Sequence, residues 1–170
     1  MNEQFQNIRP IVQAEHASVL QLWEESVRAS HDFITEKDID HYRQMITESL
    51  DNLHLFAVHE GNQMQGFIAL SNYKIQLLFV HPNAFRKGFG KRLIQFAIQE
   101  HQAWLVDVNA QNEQALSFYL NLGFKVYHKF PNDGAGKPYP VWSLRLKRKL
   151  SGRPTWKGWR NMFSSLFKTK

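Results

Sequence analysis

Apolar residues in this chain recur at two spacings, and the changes between them mark its elements. Residues 8–12 read as a short first strand. From about Glu15 to Ser30, Val19, Leu20, Trp23 and Val27 recur at helical spacing and make one stripe. Ser30-His31-Asp32-Phe33 interrupts that helix, and a more polar one follows over 35–48 with Thr35 as its cap. Residues 55–58 and 66–70 read as strands, and Gly61-Asn62 between them suits a hairpin turn that needs positive φ. A further strand at 75–80 is stopped by His81-Pro82-Asn83. Residues 90–101 predict a helix turning Leu93, Ile94, Ala97 and Ile98 inward. A strand at 104–108 and a helix at 112–122 come next, with Gly123 where a helix end favours left-handed backbone. The final strands are 124–130 and 141–146, joined by a loop holding Pro131, Gly134, Gly136, Pro138 and Pro140.

The order is β-α-α-β-β-β-α-β-α-β-β, without an internal repeat. The strand-helix-strand run in its middle implies a parallel pairing of 75–80 with 104–108 through a right-handed crossover. The hairpins imply antiparallel pairs. The expected fold class is α/β, with a mixed, mainly antiparallel central sheet flanked by helices.

Composition narrows the chemistry. With 170 residues, 43% of them hydrophobic and 14% aromatic, the chain can bury a core of useful size. It contains no cysteine, which excludes disulfides, zinc-cysteine sites and cysteine nucleophiles. The histidines are dispersed without ligand spacing, so no metal is expected. No stretch approaches the length of an apolar membrane span, and the N-terminus lacks an apolar signal core, so a cytoplasmic protein is the expectation.

The net charge of +6 is unevenly placed. Residues 1–144 carry 12 basic and 15 acidic side chains, whereas the last 26 carry nine basic and no acidic ones. The chain therefore reads as a domain over 1–150 and a basic, aromatic tail over 151–170. In that tail Trp156, Trp159, Met162, Phe163, Leu166 and Phe167 would gather on one side of a helix, opposite Lys157, Arg160 and Lys168. A helix packing on its own domain or on a partner subunit is the plainer reading. A membrane-surface helix is the sharper one, and nucleic acid is disfavoured.

Two segments carry candidate chemistry. Phe85-Arg86-Lys87-Gly88-Phe89-Gly90-Lys91 joins an apolar strand to an amphipathic helix, where free backbone N–H groups can meet a phosphate. Arg86, Lys87, Lys91 and Arg92 are the wrong sign for a first helical turn unless an anion offsets them. Taken alone, the loop could equally be a solvated turn relieved by its glycines. In the second segment Ala115, Phe118, Tyr119 and Leu122 share one helix face, so Tyr119 is either a core tyrosine or a proton donor at the rim.

This order and these motifs resemble the GCN5-related N-acetyltransferases, the GNAT superfamily, over roughly residues 8–148. Gly88-Phe89-Gly90 before a helix is similar to the family's acetyl-CoA motif. Asn112-x-x-Ala115-x-x-Phe118-Tyr119 with Gly123-Phe124 resembles its second motif. Ala29-Ser30-His31-Asp32-Phe33, the stretch 109–119 and Gly136-Lys137-Pro138-Tyr139-Pro140 resemble bacterial YjaB-type acetyltransferases. One departure stands out: the family's Gln or Arg ahead of the first glycine falls here on Phe85, so backbone amides are expected to hold most of the pyrophosphate.

The resemblance implies acetyl transfer from acetyl-CoA to a primary amine by direct attack, with Tyr119 as general acid towards the departing thiolate. It implies that the cofactor contacts Leu78, Phe79, Val80, the residues Phe85, Arg86, Lys87, Gly88, Phe89, Gly90 and Lys91, and Asn112. Asn112 could instead be only a helix cap. A bulge amide near Leu78 or Phe79 would hold the acetyl carbonyl. His31, Asp32 and Phe33 would wall the acceptor side, with His31 a candidate base or acceptor ligand against a plainer surface role. Lys137 and Tyr139 would contact the acceptor or merely anchor a rigid loop. A non-catalytic acyl-CoA-binding module is the alternative function. The acceptor is an amine on a small molecule or a protein, and the assembly a monomer or homodimer.

Overall fold

Two hairpins build the centre of the N-terminal half. The computed structural model describes residues 3–147. The expected tail helix over 151–170 lies outside the described residues. Among those described, seven strands and four α-helices follow the expected order, with 3-10 turns between several of them, in a mixed α/β fold. They divide into two compact units, the first ending at Leu105 and the second beginning at Val106.

In the first unit β1 (Ile8–Pro10), β2 (His54–Glu60), β3 (Gln63–Ser71) and β4 (Lys74–Val80) pair antiparallel in that order. Gly61, with φ of 58°, lets the β2–β3 turn close between Glu60 and Gln63. The β3–β4 turn is tighter than its residue types announce. Asn72 and Tyr73 both take positive φ, as primed hairpin turns require, and the Tyr73 carbonyl accepts from the N–H groups of Trp104 and Leu105.

Alternation along these strands gives the sheet two buried faces. Leu55, Ala57, Phe67 and Ala69 face α1 (His16–Ser30) and α2 (Glu36–Ser49), meeting Val19, Trp23, Val27, Ile39 and Ile46. Phe56, on the opposite parity, meets Phe96 of α3 (Phe89–His101) at 4.9 Å between ring centroids, and Phe5 closes on the same ring at 5.5 Å. Thr35 caps α2 as expected: its hydroxyl accepts from the Asp38 N–H and donates to the Asp38 carboxylate.

Gly66 of β3 pairs with Val80 at the end of β4. A Cβ there would lie 2.9 Å from the Phe79 carbonyl oxygen and 3.2 Å from Val80 Cγ2. Backbone cannot yield as a flexible side chain can. Gly66→Ala is therefore expected to destabilise the fold by about 1–3 kcal/mol, read as a lower urea midpoint with an unchanged m-value. An unaltered midpoint would show that β3 and β4 separate without cost.

In the second unit β5 (Leu105–Asn109), β7 (Val141–Leu146) and β6 (Phe124–Phe130) lie side by side with β7 in the middle, and β6 pairs antiparallel with β7. The helix α4 (Glu113–Asn121) precedes β6. Gly123, at φ of 91°, makes the left-handed exit from α4 that its position foretold.

Candidate active site

The turn between β4 and α3 is assembled from backbone hydrogen bonds. His81 N–H donates to the Gln65 carbonyl at 2.8 Å, Ala84 N–H to His81, Phe85 N–H to Pro82, and Lys87 N–H to Ala84. Arg86 takes φ of 62°, an uncommon conformation for a residue other than glycine, and Gly88 takes 87°. The helix then starts at Phe89, one residue before the expected Gly90, because Gly88 serves as its N-cap.

That cap has no side chain. In α2 Thr35 accepts from a first-turn N–H, and in α4 Asn112 does so. The first turn of α3 has neither a side-chain cap nor an acidic residue, while Arg86, Lys87 and Lys91 around it are exposed. Backbone N–H groups without helical acceptors, a positive dipole end and added cations together form a seat for a polyanion. A Cβ on Gly88 would meet no atom within 4 Å, so its positive φ, and not crowding, demands glycine in the protein alone. Phe85 within this turn is half-buried, and Phe89 at the start of α3 is buried.

Next to this seat runs β4, whose residues from Gln76 to Val80 are all partly accessible. Leu78 and Phe79 pair in regular register with Ile68 and Phe67. The irregularity in this ladder lies earlier: Ala69 pairs with Leu77 and Leu70 with Ile75, leaving Gln76 as the extra residue. In the β3–β4 ladder the irregularity therefore falls at Gln76.

His31 follows α1 and lies in the same unit. Its ring centroid is 6.5 Å from that of Phe79 and 5.3 Å from that of Phe33, so the loop and β4 are brought together. The Ser30 hydroxyl donates its one proton to the Ser26 carbonyl at 2.6 Å. It must therefore accept from His31 Nδ1, 2.8 Å away. This network assigns the proton of neutral His31 to Nδ1 and the lone pair to Nε2, the form a base needs. Ser30 was legible only as a helix breaker. Asp32 is exposed beside it.

Burial lowers the His31 pKa below its ordinary value, with the Asp32 charge and the Val27 backbone opposing. In the unfolded chain His31 takes up its proton near pH 6.5, before it does so in the folded protein. Folding stability linked to His31 is thus present above that pH and lost as pH falls through the lower folded value. Urea midpoints from pH 7 to 5 should fall less steeply in His31→Gln than in the wild type. Parallel slopes would contradict this linkage.

The second unit holds the other candidate residues. Tyr119 is 5% exposed, the one buried side chain of α4 among the described residues. It packs edge-on against Phe118 and Phe124 at 5.2 and 5.6 Å. Burial pushes its pKa well above the ordinary tyrosine value, so the hydroxyl keeps its proton at every physiological pH. Asn112 Oδ1 accepts from Ala115 N–H at 2.9 Å, which realises the cap reading for its oxygen.

Lys137 and Tyr139 lie in a loop organised by Asp133, a residue that carried no signal in the sequence. Asp133 Oδ1 accepts from Ala135 and Lys137 N–H at 2.9 and 2.8 Å, Gly136 takes φ of 77°, and Tyr139 is buried. The rigid-anchor role is thus built for the backbone of Lys137. Among the described residues no group of three or more His, Cys, Asp or Glu could hold a metal, and no helix is long and apolar enough to cross a membrane.

Comparison with known proteins bears on this arrangement. The family model of the acetyltransferase (GNAT) domain matches residues 19–134. The peptidyl-lysine N-acetyltransferase YjaB of Escherichia coli is 34% identical over 139 residues, covering 81% of this chain and 95% of that protein. The solution structure of apo YjaB from Escherichia coli is similar with a TM-score of 0.75 at 33% identity, covering 82% of this chain and 95% of the other. The PaiA N-acetyltransferase of Thermoplasma acidophilum, solved in complex with coenzyme A, shares the fold with a TM-score of 0.61 at 20% identity, covering 82% and 98%. With a domain model matching over half of the chain and a relative of this identity spanning most of it, the chain belongs to the GNAT N-acetyltransferases.

Proposed function

We propose that this protein transfers the acetyl group of acetyl-CoA to the ε-amine of a peptidyl lysine. One observation carries the cofactor assignment: α3 begins on a left-handed glycine among exposed cations, with no side chain or acidic residue to occupy its first N–H groups. The diphosphate of acetyl-CoA supplies the missing acceptor and counter-charge, held by backbone from Gly88 to Lys91 with Phe85, Arg86 and Lys87 beside it. Leu78, Phe79 and Val80 line the thioester arm, and Asn112 contacts it. YjaB, named a peptidyl-lysine N-acetyltransferase, supports the lysine acceptor.

In this reading the amine attacks the thioester carbon directly. A C–N bond forms, the C–S bond breaks, and one amine proton ends on the released thiol. Neutral His31 receives the proton from the amine through Nε2, a role favoured by its Nδ1–H donation to Ser30. Tyr119 donates its proton to the departing sulfur, and the proton that His31 took from the amine returns through solvent to Tyr119, so that both side chains end as they began. Asp32, Phe33, Lys137 and Tyr139 contact the acceptor.

Release of free thiol from acetyl-CoA, followed over a panel of lysine peptides and small amines, tests this function. Mass spectrometry should locate the added acetyl on the lysine side chain. Binding of acetyl-CoA with no thiol release on any amine would remove the catalytic reading and leave an acyl-CoA-binding module.

A further inference from the structure

His81 is the first residue after β4 and the foot of the turn that leads to Gly88. Its Nδ1 accepts from the Asn83 N–H at 3.2 Å, capping the short turn over Pro82–Ala84. A neutral imidazole accepting at Nδ1 carries its proton at Nε2. That nitrogen lies 3.0 Å from Glu25 Oε2 on α1. The other oxygen of Glu25 accepts from Gln21 Nε2 at 3.0 Å, which holds the carboxylate on its own helix.

The pair is useless as a catalytic base, because its lone pair is spent on Asn83. Its position suggests another use. Trp23 on α1 and His31 just past its end lie on either side of Glu25 in the chain, and the rings of both meet Phe79 of β4 at 6.5 Å. Apolar packing of that kind tolerates sliding; a hydrogen bond between a carboxylate and an imidazole fixes direction as well. The link thus joins the helix that ends in His31 to the turn that presents the first turn of α3.

We propose that Glu25 and His81 are positioning residues that set the acceptor-side His31 in register with the seat for the acyl donor. The inference rests on the acetyl-transfer reading above. Neither residue touches substrate: each acts by keeping α1 from shifting against the 81–88 turn.

Variants at the two positions separate the link from the cap. Asn at 81 keeps an acceptor near the old Nδ1 and loses reach to Glu25. Gln at 81 keeps a donor near the old Nε2 and loses the cap on Asn83. In the full-length protein, Glu25→Ala and His81→Asn should each lower kcat/KM for a lysine peptide about 10- to 100-fold, the cost of a reacting group displaced by roughly an ångström. Acetyl-CoA affinity in calorimetry should stay close to wild type. The double variant should be no worse than either single, since both cut one link. Glu25→Gln, which still offers an oxygen to the His81 proton, should recover most of the activity. His81→Gln should instead weaken acetyl-CoA binding.

Wild-type kinetics in Glu25→Ala would overturn the proposal, as would a mere drop in thermal midpoint with kcat/KM intact. Losses that multiply in the double variant, or an equal loss of acetyl-CoA affinity in Glu25→Ala, would also overturn it. If the wild-type protein releases no thiol with any amine, the acetyl-transfer reading falls and takes this inference with it. An active wild type with unaffected variants removes this inference alone.

Discussion

Tyr119→Phe is expected to lower the turnover of acetyl transfer by about 10²- to 10⁴-fold while acetyl-CoA affinity stays within about twofold of wild type, the range for loss of a general acid. The variant removes one oxygen and keeps the ring that packs against Phe118 and Phe124. Stability should therefore change little. Because burial raises the Tyr119 pKa above its ordinary value, this hydroxyl does not lose its proton in any physiological range. The wild-type pH profile should accordingly show no alkaline fall from Tyr119, and the Phe variant should lose rate evenly across pH. Equal turnover in the two proteins would remove Tyr119 from the chemistry. A matching loss of acetyl-CoA affinity would instead mark it as a packing residue.

At the proposed diphosphate seat, Gly88→Ala is expected to weaken acetyl-CoA binding about tenfold, because the free turn relaxes out of left-handed backbone and must regain it to bind, at about 1–2 kcal/mol for an L-residue. No protein atom lies within 4 Å of the new Cβ, so a clash within the protein cannot explain the loss. The cost falls on the φ of 87°, which aims the first N–H groups of α3. Gly88→Asn distinguishes two causes, since asparagine tolerates this conformation better than alanine. Recovery in Asn would identify backbone geometry; binding as weak as in Ala would identify bulk in the path of the diphosphate. Calorimetry with acetyl-CoA measures both, with the thermal midpoint as control. Wild-type affinity in the Ala variant would refute the assignment of this turn as the diphosphate seat.

Much of the fold was readable where punctuation is local. Strands β6 and β7 match their expected bounds because Gly123, Pro131 and Pro140 delimit them. The strands expected at 55–58 and 66–70 are longer, His54–Glu60 and Gln63–Ser71, since a ladder continues through polar residues whose backbone still pairs. The first strand is shorter and ends at Pro10. The Asn72-Tyr73 turn went unannounced because tyrosine rarely takes left-handed backbone, and its carbonyl is used by Trp104 and Leu105 from far along the chain.

The candidate site divides in the same way. Gly88 and Gly90 looked equivalent in the sequence, yet only Gly88 takes positive φ and caps the helix. Asn112 had two readings, and its oxygen is committed to Ala115. The bulge in the β3–β4 ladder falls at Gln76, where no residue type marked it. Asp133 and Ser30 emerged as organisers through hydrogen bonds that composition cannot announce.

By itself, then, the order of residues determined the element types, the cap of α2, the left-handed exit at Gly123 and the cation-rich start of α3. These depend on neighbours within a turn or two, where periodicity and side-chain chemistry decide the outcome. Tertiary structure alone decided that Glu25 meets His81, that Gly66 lets β3 close on Phe79, and that Ser30 sets the tautomer of His31. Contacts of that kind turn on tenths of an ångström between packed elements, a distance that no spacing along the chain encodes.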